Sequence, residues 1–173
     1  MANSRPLILE AAARIARSAG TQAVTLEAVA VEAGVSKSGV IHHFRGKATL
    51  LDELTQFLIE RWEAVLVGAL ETDPGESTLS HRLRTYIQVT TDPAHGPDMA
   101  DLALLVEGVH EPSLSQHWRD LQQRWLGPAP LNPRQQAAVL GAHGLWLAAA
   151  CRQDIPHRTA VVATLLDLIK EET

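Results

Sequence analysis

Residues 24–54, VTLEAVAVEAGVSKSGVIHHFRGKATLLDEL, decide the fold. Within them Leu26, Val29, Ala30 and Ala33 recur at helical spacing, which predicts a short helix from about Leu26 to Ala33 with one apolar stripe. Thr25 stands just before it, where a side-chain oxygen can accept from an orphan backbone N–H. Gly34 follows the last periodic residue and can take the positive φ that stops a helix without a Cβ clash. Ser36 is placed to cap a second helix, Lys37 to His43, after a turn of a few residues. Two short helices around a tight turn make the helix-turn-helix plan, in which the second helix is presented to the major groove of DNA.

The second helix has the surface chemistry for that task. Lys37, Ser38, His42 and His43 are polar or ionisable, while Val40 and Phe44 supply an apolar anchor. Gly39 carries no side chain, so the backbone there can approach a nucleic acid closely. Lys47 opens the next helix, where a cation and the N-terminal dipole together favour a phosphate.

The run AVAVEAGVSKSGVIHHFRGKATLL, residues 28–51, resembles the DNA-binding signature of the tetracycline-repressor (TetR) family of bacterial transcriptional regulators. That signature, A-x-x-A-G-V-S-x-x-x-[LIV]-Y-x-[HY]-F-x-x-K-x-x-L, is met by Ala33, Gly34, Val35, Ser36, Val40, His43, Phe44, Lys47 and Leu50. Two positions depart from it: Ile41 replaces a tyrosine able to hydrogen-bond a phosphate, and Gly39 stands where Thr or Ser is common. A lost backbone contact or a shifted operator preference follows from those departures.

The resemblance covers roughly the first fifty residues and implies a head, residues 1–47, that binds DNA. Residues 48–173 would form a helical body for ligand binding and dimerisation. Lys37, Ser38, Gly39 and His42 would meet base edges or nearby phosphates; Thr25, Ser36, His43 and Lys47 would hold the backbone and fix register. The implied protein is a dimeric repressor of a pseudo-palindromic operator, released when a small molecule favours a conformer in which the connecting helix moves the heads out of groove spacing.

Charge agrees with this division. The first 47 residues hold six Lys and Arg against three acids, net +3, and the remainder nine against seventeen, net −8. A positive head on an acidic body suits a protein that meets DNA at one end. Cys151 is the only cysteine, so no intramolecular disulfide can form; its apolar run predicts a buried, inert thiol in a reducing cytoplasm. The opening residues, MANSRPLILEAAARIARSAG, have neither a long apolar core nor a cleavage site and read as a cytosolic helix. The longest apolar run, Ala137 to Cys151, is broken by His143 and too short to span a bilayer, so no membrane association is expected.

Elsewhere the periodicity predicts helices over Pro6–Ala19 (with Leu7, Ile8, Ala11, Ile15 and Ala19 inward), Lys47–Leu70, Ser77–Thr91, Pro97–His110, Ser113–Leu126, Pro133–Arg152 and about Arg158–Glu171. The fold class is all-α, with about nine helices and no strand. On the penultimate helix Ala137, Gly141, Gly144 and Ala148 form a small-residue stripe flanked by Leu140 and Leu145, and on the last helix Val161, Val162, Leu165, Leu166, Leu168 and Ile169 give a wide apolar surface. By resemblance these residues form a dimer interface; the alternative is that they are all monomer core.

Trp62, Tyr86, Trp118 and Trp146 lie beyond the head and could wall an apolar pocket, with His110 or His143 orienting a polar group. The implied ligand is a small apolar or amphipathic molecule; the alternative is a body filled by its own side chains, giving a ligand-independent regulator or a protein-interaction module. Enzymatic function is not expected. Ser113 and Ser115 lie near His110 and His117 in sequence without triad geometry, and no phosphate loop or dinucleotide fingerprint occurs. Glu107 and His110 have Glu-x-x-His spacing but no second copy, and His42 and His43 diverge on their helix, so neither metal nor cofactor is predicted.

Overall fold

A computed structural model describes residues 4–94, 98, 101, 103–104 and 112–170. Among the described residues the chain is all-helical. The elements are α1 (Arg5–Ala19), a 3-10 turn (Thr21–Ala23), α2 (Leu26–Ala33), α3 (Lys37–His43), α4 (Lys47–Leu70), α5 (Leu79–Thr91), α6 (Pro112–Leu126), α7 (Pro133–Ala150) and α8 (Arg158–Leu168). The helix expected over Pro97–His110 lies mostly outside the described residues. No helix among them is long and apolar enough to cross a membrane.

The chain forms two compact units, one of residues 1–60 with 98–118, the other of 61–97 with 119–173. In the first, α1 lies against α2 and α2 against α3. Pro6 sits in the first turn of α1, and Gly20, at φ 78°, returns its N–H to the Ala16 carbonyl to end the helix. The buried face of α1 is Ile8, Leu9, Ala11, Ala12, Ala13 and Ala16. Leu7 and Ala19, expected inward, are exposed, and Ile15 is only half-buried. The stripe is rotated because the run of alanines, having no bulk beyond Cβ, is what lets the neighbouring helices approach. Val24, Val29, Val40, Phe44, Leu50, Leu54 and Leu58 complete this core.

In the second unit, α5 lies against α7 and α8, and α7 lies against α8. The sequence caps α7 firmly: the Asn132 side chain accepts from Gln135 N–H, the Gln135 side chain accepts from Asn132 N–H, and Pro133 occupies the first turn. Thr78 caps α5, so that helix starts at Leu79, two residues later than its periodicity suggests. Arg82 donates to the carbonyls of Trp125 (3.2 Å), Pro74 (2.9 Å) and Ser77 (2.6 Å), fastening the end of α6 and the preceding loop onto α5. Arg158 donates to the Thr91 carbonyl at 2.6 Å, satisfying the open C-terminus of α5.

Two expectations are corrected here. Cys151 is exposed, because α7 stops at Ala150 and its cap points outward. Of the residues assigned to a dimer interface, Leu145, Ala148, Leu165 and Ile169 are buried within the chain itself. Gly141 is used there too: a Cβ on it would stand 2.5 Å from Leu165 Cδ2, so its missing side chain is what seats α8 on α7. Val162 and Leu166 are half-buried. Of the expected surface on α7, Leu140 and Gly144 face outward, joined by Leu147, with the two leucines 61% and 46% exposed.

Candidate nucleic-acid interface

The helix-turn-helix is built by local chemistry. Thr25, in extended conformation, accepts from Ala28 N–H at 3.1 Å and starts α2. Gly34, at φ 66° and ψ 30°, ends it: Gly34 N–H bonds to the Val31 carbonyl at 3.2 Å and Val35 N–H to the Ala30 carbonyl at 3.0 Å. This paired closure needs a left-handed residue, and only glycine adopts that conformation without a Cβ penalty. Ser36 then accepts from Gly39 N–H at 3.0 Å and starts α3.

Val40 and Phe44, both fully buried, pin α3 to the head. A buried side chain of that size contributes about 1.5–3 kcal/mol relative to exposure, so the helix cannot roll without losing both. With that face fixed, Lys37, Ser38, Ile41 and His42 are exposed. Their i, i+3 and i, i+4 spacing makes them one outward surface.

The other expected contacts have internal partners as well. His43 Nε2 lies 2.8 Å from Ser4 Oγ, at the start of α1. Lys47 donates to the Gln22 carbonyl at 3.2 Å. Thr25 and Ser36 use an oxygen lone pair in their caps; the Thr25 hydroxyl keeps a hydrogen that a phosphate can accept, while Ser36 Oγ also lies 3.0 Å from Ser38 Oγ, a bond in which either hydroxyl can donate.

Several head cations are held by carboxylates. Arg5 pairs with Glu53, Arg14 with Glu32 at 2.6 Å, Arg17 with Asp98, and Lys37 with Glu27 across the turn between α2 and α3. The Lys37 ammonium, donating a hydrogen bond, holds the Glu27 carboxyl below its ordinary value. Glu27 was not singled out in the sequence, because nothing in a spacing of ten residues signals contact; the Gly34 turn creates it.

In the other unit the structure brings Trp62, Tyr86 and His143 together. Tyr86 Oη lies 2.8 Å from His143 Nε2, and the Trp62 and Tyr86 rings meet edge to face at 5.4 Å. Burial pushes the Tyr86 phenol upward, against a hydrogen bond from Gln122. Burial also pushes the His143 imidazole below its ordinary value, so it stays neutral near pH 7. Trp146, one turn beyond His143, is also buried. Trp118 is half-buried in the other unit, and His110 lies outside the described residues.

Sequence reasoning missed two partners in this cluster's surroundings. One is Gln122, beside Tyr86; the other is Glu63, which accepts from Trp125 Nε1 at 3.0 Å and takes a two-pronged grip from Arg124. Burial raises the Glu63 pKa, and the bonds from Arg124 and Trp125 outweigh it, so the group stays below its ordinary value.

A capped, glycine-closed helix pair that exposes one polar face of its second helix defines a helix-turn-helix DNA-binding protein. Family comparison makes the class specific. The model of bacterial regulatory proteins of the tetR family matches residues 8–54, and that of the tetracyclin repressor-like C-terminal domain matches residues 80–170. The chain belongs to the TetR family, and it is a DNA-binding transcriptional regulator.

Solved structures share the fold. A member of the TetR family from Streptomyces coelicolor A3 is 19% identical with TM-score 0.71, over 98% of this chain and 99% of its own. A Saccharomonospora viridis protein in complex with choline is 18% identical with TM-score 0.74, over 98% and 96%. The multidrug binding protein EbrR, complexed with imidazole, is 17% identical with TM-score 0.67, over 100% and 98%. No curated protein matches.

Proposed function

We propose that this regulator is a cytoplasmic homodimeric repressor that binds a pseudo-palindromic operator through α3 and is released by a small apolar or amphipathic molecule. The observation that carries the DNA half is the outward face of α3, polar at Lys37, Ser38 and His42 and locked in orientation by buried Val40 and Phe44. Gly39 lets the backbone come close, and Thr25, Ser36, His43 and Lys47 donate to phosphates and fix register. The role is binding, not catalysis.

The outward apolar stripe of α7, Leu140, Gly144 and Leu147, supports a two-fold interface between copies, since large exposed leucines on one helix face are best covered by a partner. Gly144 remains an interface residue in this reading, with Val162 and Leu166 at its edge. For the ligand, the Trp62–Tyr86–His143 cluster supplies aromatic walls and a polar pair able to exchange its mutual hydrogen bond for one to a guest. Structural relatives complexed with choline and with imidazole support a small-molecule ligand for this one.

Selection of genomic DNA fragments on the purified protein, followed by anisotropy titration of the enriched duplexes, tests the DNA half. Enrichment of a pseudo-palindrome bound by two chains is expected; salt-sensitive binding with no sequence preference would refute it. Ligand release adds a stricter condition: coupling is reciprocal, so operator must weaken ligand binding by the same factor by which ligand weakens operator binding. Equal ligand affinity for free and DNA-bound protein would leave a ligand-independent regulator.

A further inference from the structure

The outward face of α3 contains one side chain that can neither donate nor accept a hydrogen bond. Ile41 is 44% exposed, four residues after Lys37 and three after Ser38, with exposed His42 beside it. It does not belong to the head core, which α3 enters through Val40 and Phe44, both at 0% exposure. Because those two anchors fix the helix, Ile41 cannot rotate inward, and its sec-butyl group stays with the polar residues on the surface offered to DNA.

The major groove presents hydrogen-bonding edges everywhere and one apolar feature, the C5-methyl group of thymine. Apolar side chains discriminate at that group and nowhere else on a base edge. We infer that Ile41 is a specificity-determining residue, which selects a thymine in each operator half-site by packing against its methyl group. Neighbouring Gly39 favours this approach: it adds no side chain between the helix and the groove floor. The assignment rests on the operator-binding role of α3 proposed above.

The test uses the duplex enriched from genomic fragments, with thymines replaced one at a time by deoxyuridine, which removes the methyl and leaves the pairing unchanged. Burying a single methyl is worth about a fourfold change in affinity, so one thymine per half-site should show a loss of about fourfold, and both together about sixteenfold. Ile41→Ala should bind the thymine and uracil duplexes alike at that position, and Ile41→Val should keep part of the difference. The exposed position makes both variants fold, which their thermal midpoints would verify.

A uracil penalty that persists unchanged in Ile41→Ala overturns the assignment, as does an operator in which no thymine is sensitive. Failure to enrich any duplex is a distinct result. It removes the operator-binding reading itself, and the Ile41 assignment falls with it.

Discussion

Replacing Glu27 with Gln removes the carboxylate that holds the Lys37 ammonium across the helix-turn-helix. Both side chains are more than half exposed, at 62% and 54%, so the pair does little for folding and the variant should melt as the parent does. Its consequence lies in DNA binding. In the parent, the Glu27 carboxylate offsets the Lys37 charge in the field of the DNA. In Glu27→Gln that offset is gone, so one more unit of positive charge acts on the phosphates and the slope of log K against log salt should steepen by about 0.9. Between 50 and 200 mM salt, the variant's advantage over the parent on a random-sequence duplex should shrink roughly 3.5-fold. Anisotropy titrations at several salt concentrations measure this directly. Parallel lines for the two proteins would refute this offset of Lys37 by Glu27.

Five other outcomes follow from the structure. Lys47→Ala should weaken binding to every sequence alike and lower the salt slope by about one; a loss confined to one operator would mean that Lys47 reads bases. Gly34→Ala places a Cβ in open space at φ 66°, so its cost is conformational: about 1–2 kcal/mol for the left-handed backbone, less about 0.4–1 kcal/mol from the stiffer unfolded chain. The net cost is up to about 1.6 kcal/mol, so the thermal midpoint should fall by up to about 6 °C, and a raised midpoint would deny that this backbone closes the turn. Tyr86→Phe should cost about 0.5–1.5 kcal/mol by removing the hydroxyl's buried hydrogen bond to His143, measured by urea titration. The folded-state pKa of His143 lies below its unfolded value near 6.5, so its contribution is complete above that pH and declines as pH falls below it. His143→Asn should flatten this decline; the same pH profile in parent and variant would remove His143 as its source. Finally, Leu140→Glu with Leu147→Glu should yield a folded monomer in sedimentation experiments, because both positions are exposed in the single chain. A persistent dimer would place the interface elsewhere.

Much of the head could be read directly, because its instructions are local. Thr25, Gly34 and Ser36 each act on backbone groups within five residues, and those caps form as the sequence indicates. Helix positions in the body were similarly legible wherever a cap or proline marks a start, as at Asn132-Pro133. Errors arose where one face of a helix had to be chosen over another. On α1, hydrophobicity favoured Leu7, yet packing buried the alanines, because close approach of helices rewards small side chains. On α7 and α8, a stripe that is apolar nearly all round does not say which side meets its own chain, so Leu145 and Leu165 were assigned outward although they pack within it.

By itself, then, the sequence determined the helical class, the helix-turn-helix with its caps, and the contrast between a basic head and an acidic body, all properties of short spans or simple counts. Tertiary structure decided which charges and aromatics meet: Glu27 with Lys37, Tyr86 with His143, Arg124 and Trp125 with Glu63. It also left Ile41 outside while Val40 went in. Neighbouring residues on a helix point about 100° apart, and only the packing of that helix against others chooses which of them is buried.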